Sequence, residues 1–355
     1  SAASDVYKRQ EIACDSAVLQ MISADEYQAY GTTLINFAEK ISSFSSPLAV
    51  GMSGNFRQMK RRILNIAVFR KETLYQKMRA LIIYLVISAV FIGCTPILSI
   101  DASTQSVYHF SDTDKNISLL DISETFGTYD GSFVLYDNNL DSWKIYDLEE
   151  ATKRIPPEST YKIYDALLGL ESGIITPEHS SMTWNGDAFP FPSWEADQDL
   201  NSAMQNSVNW YFQAIDSQLG INRVQEFLNK IEYGNQTTSS NLDLYWSDFS
   251  LKISPLEQVT LLKKFNTNEF HLNSQNVFSV KNAIKIASTP NGNFYGKTGT
   301  GRVNGQDING WFIGYVETSD NSYYFATNIQ SDSNATGKKA FEITSDILKK
   351  LHIWN

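Results

Sequence analysis

The chain is poor in the residues that most often announce a disulfide or metal protein. Among 355 residues there are two cysteines, Cys14 and Cys94, and four histidines, His109, His179, His271 and His352. Both cysteines lie before residue 95, so the large C-terminal part has no disulfide framework, whatever compartment holds it. The histidines are scattered and form no HExxH pair, and no complete metal site is legible. Charge is scarce as well: charged residues make up 19% of the chain, with a net charge of −10. That acidic balance argues against direct nucleic-acid binding. Hydrophobic residues at 42% and aromatics at 13% fit a folded core rather than disorder.

What is present divides the chain into regions. Residues 1–10 share no pattern with the rest of the chain and are read as a non-native or artefactual N-terminus. Glu11-Ile12-Ala13-Cys14-Asp15 then opens a helical stretch, with Ala17, Val18, Leu19 and Met21 on an apolar side. Residues 57–79 carry eight Lys or Arg against one acid, Glu72, a pattern that a solvated basic helix would also show. Ala80 to Ile100 contains no charge at all. A helix of roughly 20 apolar residues crosses a bilayer. The alternative is a buried core helix, but soluble helices rarely stay apolar on every face for so long. With the basic cluster before it and Asp101 after it, the positive-inside rule places 11–79 in the cytoplasm and the C-terminal part outside the cell. The expected order is a transmembrane helix at 80–100, a linker at 101–116 and an extracellular domain at 117–355.

In that last region, residues 131–137 and 143–147 read as a hairpin turning at Asn138-Asn139. Helices are expected around 200–218 and 255–265. Residues 295–302, 310–317 and 323–329 read as three antiparallel strands, with turn chemistry at Asn304-Gly305 and Asp320-Asn321. Ile343, Ile347, Leu348 and Leu351 mark one face of a closing helix. Strands at both ends with helices between them predict an α+β domain, its antiparallel sheet assembled from the two ends of the segment and flanked by helices.

Two motifs carry chemistry. Ser159-Thr160-Tyr161-Lys162 places a hydroxyl and an amine three residues apart, on one face of a helix entered through Pro156-Pro157. A serine becomes a nucleophile when a base takes its proton, and lysine does so only when a desolvated setting keeps it neutral. Lys297-Thr298-Gly299-Thr300 supplies a cation and two hydroxyls for a substrate carboxylate. Gly299 removes a Cβ so that a ligand can lie along the strand, and the backbone N–H groups of Ser159 and Thr300 are oxyanion donors. Alone, each motif has a bland reading, a helix with common residues and a glycine-rich edge strand. Together, in this order, they are the Ser-x-x-Lys and Lys-Thr-Gly pair of serine enzymes that react with β-lactams or D-alanyl peptides.

On these residues the chain resembles the penicillin-recognising serine enzymes, and among them the class D β-lactamases. Ser207-Val208-Asn209 is similar to that class's Ser-x-Val element, Tyr233-Gly234-Asn235 to its Tyr-Gly-Asn element, and Trp246 to its Ω-loop tryptophan. The stretches Ser159–Tyr164, Gln198–Asn201, Met204–Phe212 and Asn309–Phe312 more closely resemble the sensor domains of BlaR/MecR-type β-lactam receptors, over about residues 105–353. The resemblance implies a serine β-lactamase/transpeptidase-like fold and a catalytic set of Ser159, Lys162, Ser207, Lys297, Thr298 and Thr300. Thr160, Asn209, Trp246 and Gly299 are expected to bind or modulate the ligand.

One residue separates receptor from enzyme. Class D enzymes carry an apolar residue where Asn209 stands, and the counterpart of Lys162 bears a CO2-derived carbamate that activates the hydrolytic water. An amide beside that lysine is expected to destabilise the carbamate and prolong the acyl adduct. The sensor domain itself is expected to need no other cofactor. The receptors also carry a membrane-embedded M56 zinc protease, and Glu11 to Asp15 resembles its E-x-x-x-D element. The resemblance makes Glu11 a third zinc ligand, with HExxH expected ahead of residue 1 and zinc held only by the full-length protein; without it, a short acidic helix is the plain reading. The implied partners are β-lactam antibiotics, covalently, the membrane, and a BlaI/MecI-type repressor downstream. The competing expectations are a membrane-anchored class D β-lactamase or D,D-peptidase with turnover, and a non-catalytic binding module.

Overall fold

The computed structural model of the chain describes residues 2–42, 56–71, 75, 78, 79, 81–84, 106–111, 113, 115–239 and 241–355. They fall into two compact units, Ser1–Pro96 and Ile97–Asn355.

The first unit is helical: α1 (Ala2–Met21), a 3-10 turn (Ala24–Glu26), α2 (Tyr27–Ser42) and α3 (Phe56–Val68). Helix α1 runs through the boundary drawn at residue 10. Its Asp15 is buried and accepts from Arg62 of α3 through both Nε and a terminal nitrogen, each at 2.7 Å, and from the Tyr30 hydroxyl of α2 at 3.0 Å. A buried carboxylate tolerates burial when it is paired in this way. Asp15 therefore ties the three helices together. Glu11 lies on α1, but its side chain is outside the described residues, and among the described residues no group of three metal-ligating side chains occurs. The expected membrane span at 80–100 falls outside the described residues except for 81–84, which are helical. Among the described residues no helix is long and apolar enough to cross a membrane.

The second unit is α+β. Its seven strands are β1 (Asn116–Leu119), β2 (Asp130–Asp137), β3 (Ser142–Tyr146), β4 (Lys285–Thr289), β5 (Gly292–Val303), β6 (Gln306–Thr318) and β7 (Ser322–Gln330), in the order β1-β3-β2-β7-β6-β5-β4. As the sequence implies, both ends of the segment build one sheet, and β2 pairs with β7 across nearly two hundred residues. The expectation of a purely antiparallel sheet needs correcting. At one edge β1 pairs in parallel with β3, so the sheet is mixed. Residues from Ser106 onward, expected to be linker, already pack on the domain. The Arg154 N–H donates to the Ser106 carbonyl at 2.9 Å, and Tyr108 and Phe110 lie against the core.

Alternation along β6 feeds two cores, because successive side chains in a strand point to opposite faces. Trp311, Ile313 and Tyr315 join the larger core, under the inserted helices. Phe312 and Val316 join a smaller one, closed by Ile343 and Ile347 of the C-terminal helix. The inserted helices are α4 (Lys162–Glu171), α5 (Leu200–Gln205), α6 (Asn209–Leu219), α7 (Ile221–Ile231), α8 (Pro255–Asn266) and α9 (Ser274–Ala283), and the closing helix is α10 (Gly337–Lys350). Helix α8 starts at a full capping box, Ser254 and Glu257, with Pro255 in its first turn. The β5–β6 turn at Asn304-Gly305 has positive φ at both residues, 49° and 81°, the geometry that asparagine and glycine favour in a hairpin.

Candidate active site

The nucleophile sits on a tight turn rather than inside the helix foreseen. Glu158–Tyr161 form a 3-10 turn, and α4 begins only at Lys162. Two side chains and one backbone carbonyl fix that turn from outside. Trp311 Nε1 and Asn309 Nδ2 donate to the Pro156 carbonyl at 2.8 and 3.1 Å, and the Glu158 N–H donates to the Trp246 carbonyl at 3.1 Å. Glu158 takes φ +52°, a conformation costly for a residue with a Cβ and held here by its surroundings.

Gly299 explains how closely β5 approaches. A Cβ there would lie 3.1 Å from the Glu158 Cβ and the Pro157 carbonyl oxygen, and 3.2 Å from the Ser159 nitrogen. Its glycine therefore serves the contact between strand and nucleophile turn, in addition to the ligand clearance expected of it.

Lys162 is fully buried. Its Nζ lies 3.0 Å from Ser159 Oγ and 2.7 Å from Asn209 Oδ1, with the rings of Trp246 and Phe212 at 5.4 and 5.5 Å. Burial lowers its pKa to about 8, against the opposing pull of Asp165, Glu158 and Asp216. A substantial neutral fraction at physiological pH is what a base for Ser159 requires. Lys297 on β5 donates to Ser207 Oγ and, at 2.9 Å, to the Thr298 carbonyl. Burial, and then repulsion from Lys162, pushes its pKa well below the usual lysine range. An incoming carboxylate would restore a full charge there.

A cleft of about 420 Å³ opens over these groups, lined among others by Ser159, Ser207, Asn209, Thr298, Gly299 and Thr300. Of the residues picked from the sequence, the structure thus gathers Ser159, Lys162, Ser207, Asn209, Lys297, Thr298, Gly299 and Thr300 in one place, with Trp246 against Lys162 from behind. Thr300 Oγ1 accepts from the Gly337 N–H at 2.8 Å, which links β5 to the start of α10. Thr160 does not reach the cleft. It is fully buried, donates to the Pro157 carbonyl at 2.6 Å and accepts from Gln258 Nε2 at 2.9 Å, so it braces the turn and cannot touch a ligand. Glu11 belongs to the other unit.

Several residues of the site escaped the sequence reading. Phe191 and Trp194 form a rim, and an Arg302–Asp307 ion pair of 2.7 Å stands at the mouth. Glu158, Asp165 and Asp216 are buried carboxyls around Lys162. Helical spacing was the signal available: Asp165 follows Lys162 by three, and Phe212 and Asp216 follow Asn209 by three and seven.

A Ser-x-x-Lys turn braced by a Lys-Thr-Gly strand, on a mixed sheet between two helical layers, defines a penicillin-binding, class D β-lactamase-like domain. Residues 128–349 match the penicillin binding protein transpeptidase domain, and the chain belongs to that family. Residues 2–66 match the BlaR1 peptidase M56 family, beginning inside the segment set aside as non-native. The chain is a homologue of the regulatory protein BlaR1 of Bacillus licheniformis, 42% identical over 348 residues, which is 97% of this chain and 57% of that protein. The C-terminal domain of the Bacillus licheniformis BlaR penicillin-receptor superposes with a TM-score of 0.66 at 45% identity, covering 68% of this chain and 99% of that one. The class D β-lactamase BAT-2 gives 0.63 at 36% identity over 66% of this chain and 97% of its own.

Proposed function

We propose that this chain is part of a transmembrane β-lactam receptor whose extracellular domain is acylated at Ser159 and keeps the adduct. The observation that carries this reading is the double engagement of Lys162 Nζ, 3.0 Å from Ser159 Oγ and 2.7 Å from Asn209 Oδ1. Neutral Lys162 accepts the Ser159 proton as Oγ attacks the lactam carbonyl, and a proton returns to the ring nitrogen as the C–N bond opens. Lys297, Thr298 and Thr300 hold the drug's carboxylate. Hydrolysis of the ester then needs a base for water. A carbamate on Lys162 would supply one, but the Asn209 amide oxygen already holds the amine at 2.7 Å and so competes with CO2 by favouring the unmodified lysine. The adduct therefore outlasts the encounter, which is useless to a hydrolase and suits a detector.

In the whole protein the acylated domain signals through the segment at 80–100 to a cytoplasmic metalloprotease region and leads to loss of a BlaI/MecI-type repressor. Glu11 fits a third zinc ligand in type, and no HExxH occurs among these 355 residues to complete a site with it. Mass spectrometry of the full chain after adding benzylpenicillin tests the reading. A stoichiometric adduct on the Ser159 peptide that persists after free drug is removed is the expected result. Intact protein without an adduct, or many turnovers per minute, would overturn it.

A further inference from the structure

Below the site lies a second rung of side chains that the acylation of Ser159 does not use. Helices α4 and α6 face one another, and Lys162 meets Asn209 at the upper rung. Asp165, one turn further along α4, and Asp216, two turns further along α6, come next, and neither exposes any surface. Two carboxyls at such depth are ordinarily wrapped in donors. Here no other residue donates to either oxygen of Asp165 or to Oδ2 of Asp216, which leaves each carboxyl to the other, and Asp216 Oδ1 accepts only a long bond, 3.4 Å, from the Tyr245 hydroxyl. Two carboxyls left to each other at that depth are satisfied only when one of them keeps a proton to donate.

We infer that Asp165 and Asp216 are a positioning pair that shares a single negative charge and, through it, sets the charge state of Lys162. The inference rests on Lys162 being the base for Ser159, as proposed above. Two like charges this close cannot both persist without solvent, so one carboxyl keeps its proton. Burial, and the charge of Asp216, raise Asp165 well above the carboxylate range, and burial raises Asp216 to about 8 against the help of Tyr245 and Asp165, so the shared charge forms over the same pH range in which Lys162 titrates. The Tyr245 donor favours Asp216 as the bearer of the charge. The other groups facing this cluster are Glu158 and Tyr161 on the nucleophile turn, Lys297 on β5, Tyr211 on α6, and Asp243 in the loop before Tyr245. Of these, Glu158 favours the charge on Lys162 alongside the pair and Lys297 repels it, and among the carboxyls Asp165 bears on it most. An anion held beneath the amine favours the ammonium form, so the pair opposes the effect of burial and delays the appearance of the base as pH rises.

The test is the titration of Lys162 in the full chain, read by NMR of ε-¹³C-labelled lysine and assigned by its loss in Lys162→Ala. The pH profile of acylation by benzylpenicillin is the second readout. Asp165→Asn and Asp216→Asn together remove the shared charge and should lower the Lys162 pKa and move the acid limb of the profile to lower pH by about one unit, a roughly tenfold gain in rate below the limb, whereas either alone leaves one carboxyl to carry the charge and should move both by less. Tyr245→Phe, which weakens the anion without removing it, should move both the same way by less. A Lys162 titration unmoved in folded variants would overturn the inference, and where an Asp variant does not fold, Tyr245→Phe decides. If the parent chain forms no adduct, the receptor reading falls, and the NMR titration still decides the role of the pair.

Discussion

At the scale of the residue, the site turns on what surrounds one amine. Lys162 is desolvated by Phe212, Trp246 and the turn above it, and its pKa near 8 leaves roughly a tenth of it neutral at pH 7. Acylation of Ser159 should therefore speed up with pH as Lys162 loses its proton and level off above about 8, read as second-order rate constants from stopped-flow mixing. A flat profile would mean that another group takes the proton. Asn209 is the second control. Asn209→Val removes the acceptor 2.7 Å from Nζ and frees the amine to take up CO2 or to activate water. The acyl adduct should then decay at least about tenfold faster by mass spectrometry, in the range of a general-base effect. An unchanged lifetime would show that the brake lies elsewhere. The nucleophile and the two lysines were legible from residue type and spacing, and Asn209 from the resemblance to the class D enzymes and receptors. Asp165, Asp216 and Glu158 were not, because carboxylates are mostly exposed, and the helical spacing that sets Asp165 on the face of Lys162 and Asp216 on that of Asn209 does not by itself mark them as buried.

At the scale of the element, the C-terminal hairpins and the closing helix were legible from their apolar periods and from turn residues, Asn304-Gly305 in the first hairpin and Asp320-Asn321 in the second. The parallel edge was not. Strand β1 has four residues, little burial and no alternation, and only the register with β3 reveals it. The helix containing Ser159 was foreseen too regular, since the brace from Trp311, Asn309 and Trp246 comes from distant sequence. That brace makes the fit of β5 against the nucleophile turn a sensitive point. Gly299→Ala would push a Cβ against Pro157, Glu158 and Ser159 at about 3.1 to 3.2 Å, and the turn must yield by a few tenths of an ångström. Acylation should fall roughly ten- to a hundredfold while the domain stays folded, because reacting groups are intolerant of small displacements. Ser254→Ala is the contrasting case. It removes the capping hydroxyl of α8, away from the cleft, and should cost about 1 kcal/mol of stability in urea with acylation unaltered. Equal losses of rate in both variants would show that acylation follows general stability rather than the strand–turn contact.

At the scale of the whole domain, the buried acid beside the nucleophile makes stability depend on pH in an unusual direction. Glu158 is almost fully buried, and burial raises its pKa from 4.5 to about 8, against the pull of Asn309 and Lys162. Between those two values the folded state holds a proton that the unfolded chain has released. Folding stability due to this group is thus complete below about pH 4.5 and is lost as pH rises towards 8. Glu158→Gln keeps an acceptor for Asn309 Nδ2 and abolishes the titration. The parent and variant should match near pH 4.5, after which the parent should fall behind by about 1.4 kcal/mol per pH unit at most, with no further divergence above pH 8. All seven tryptophans lie at or after Trp143, so urea unfolding followed by tryptophan fluorescence reports on this domain and not on the N-terminal helices. A stability difference that stays constant from pH 5 to pH 8 would show that Glu158 is ionised in the folded state. In that event the anion would lie beside Ser159 and Lys162, and the low lysine pKa argued for the site would have to come from burial strong enough to outweigh it.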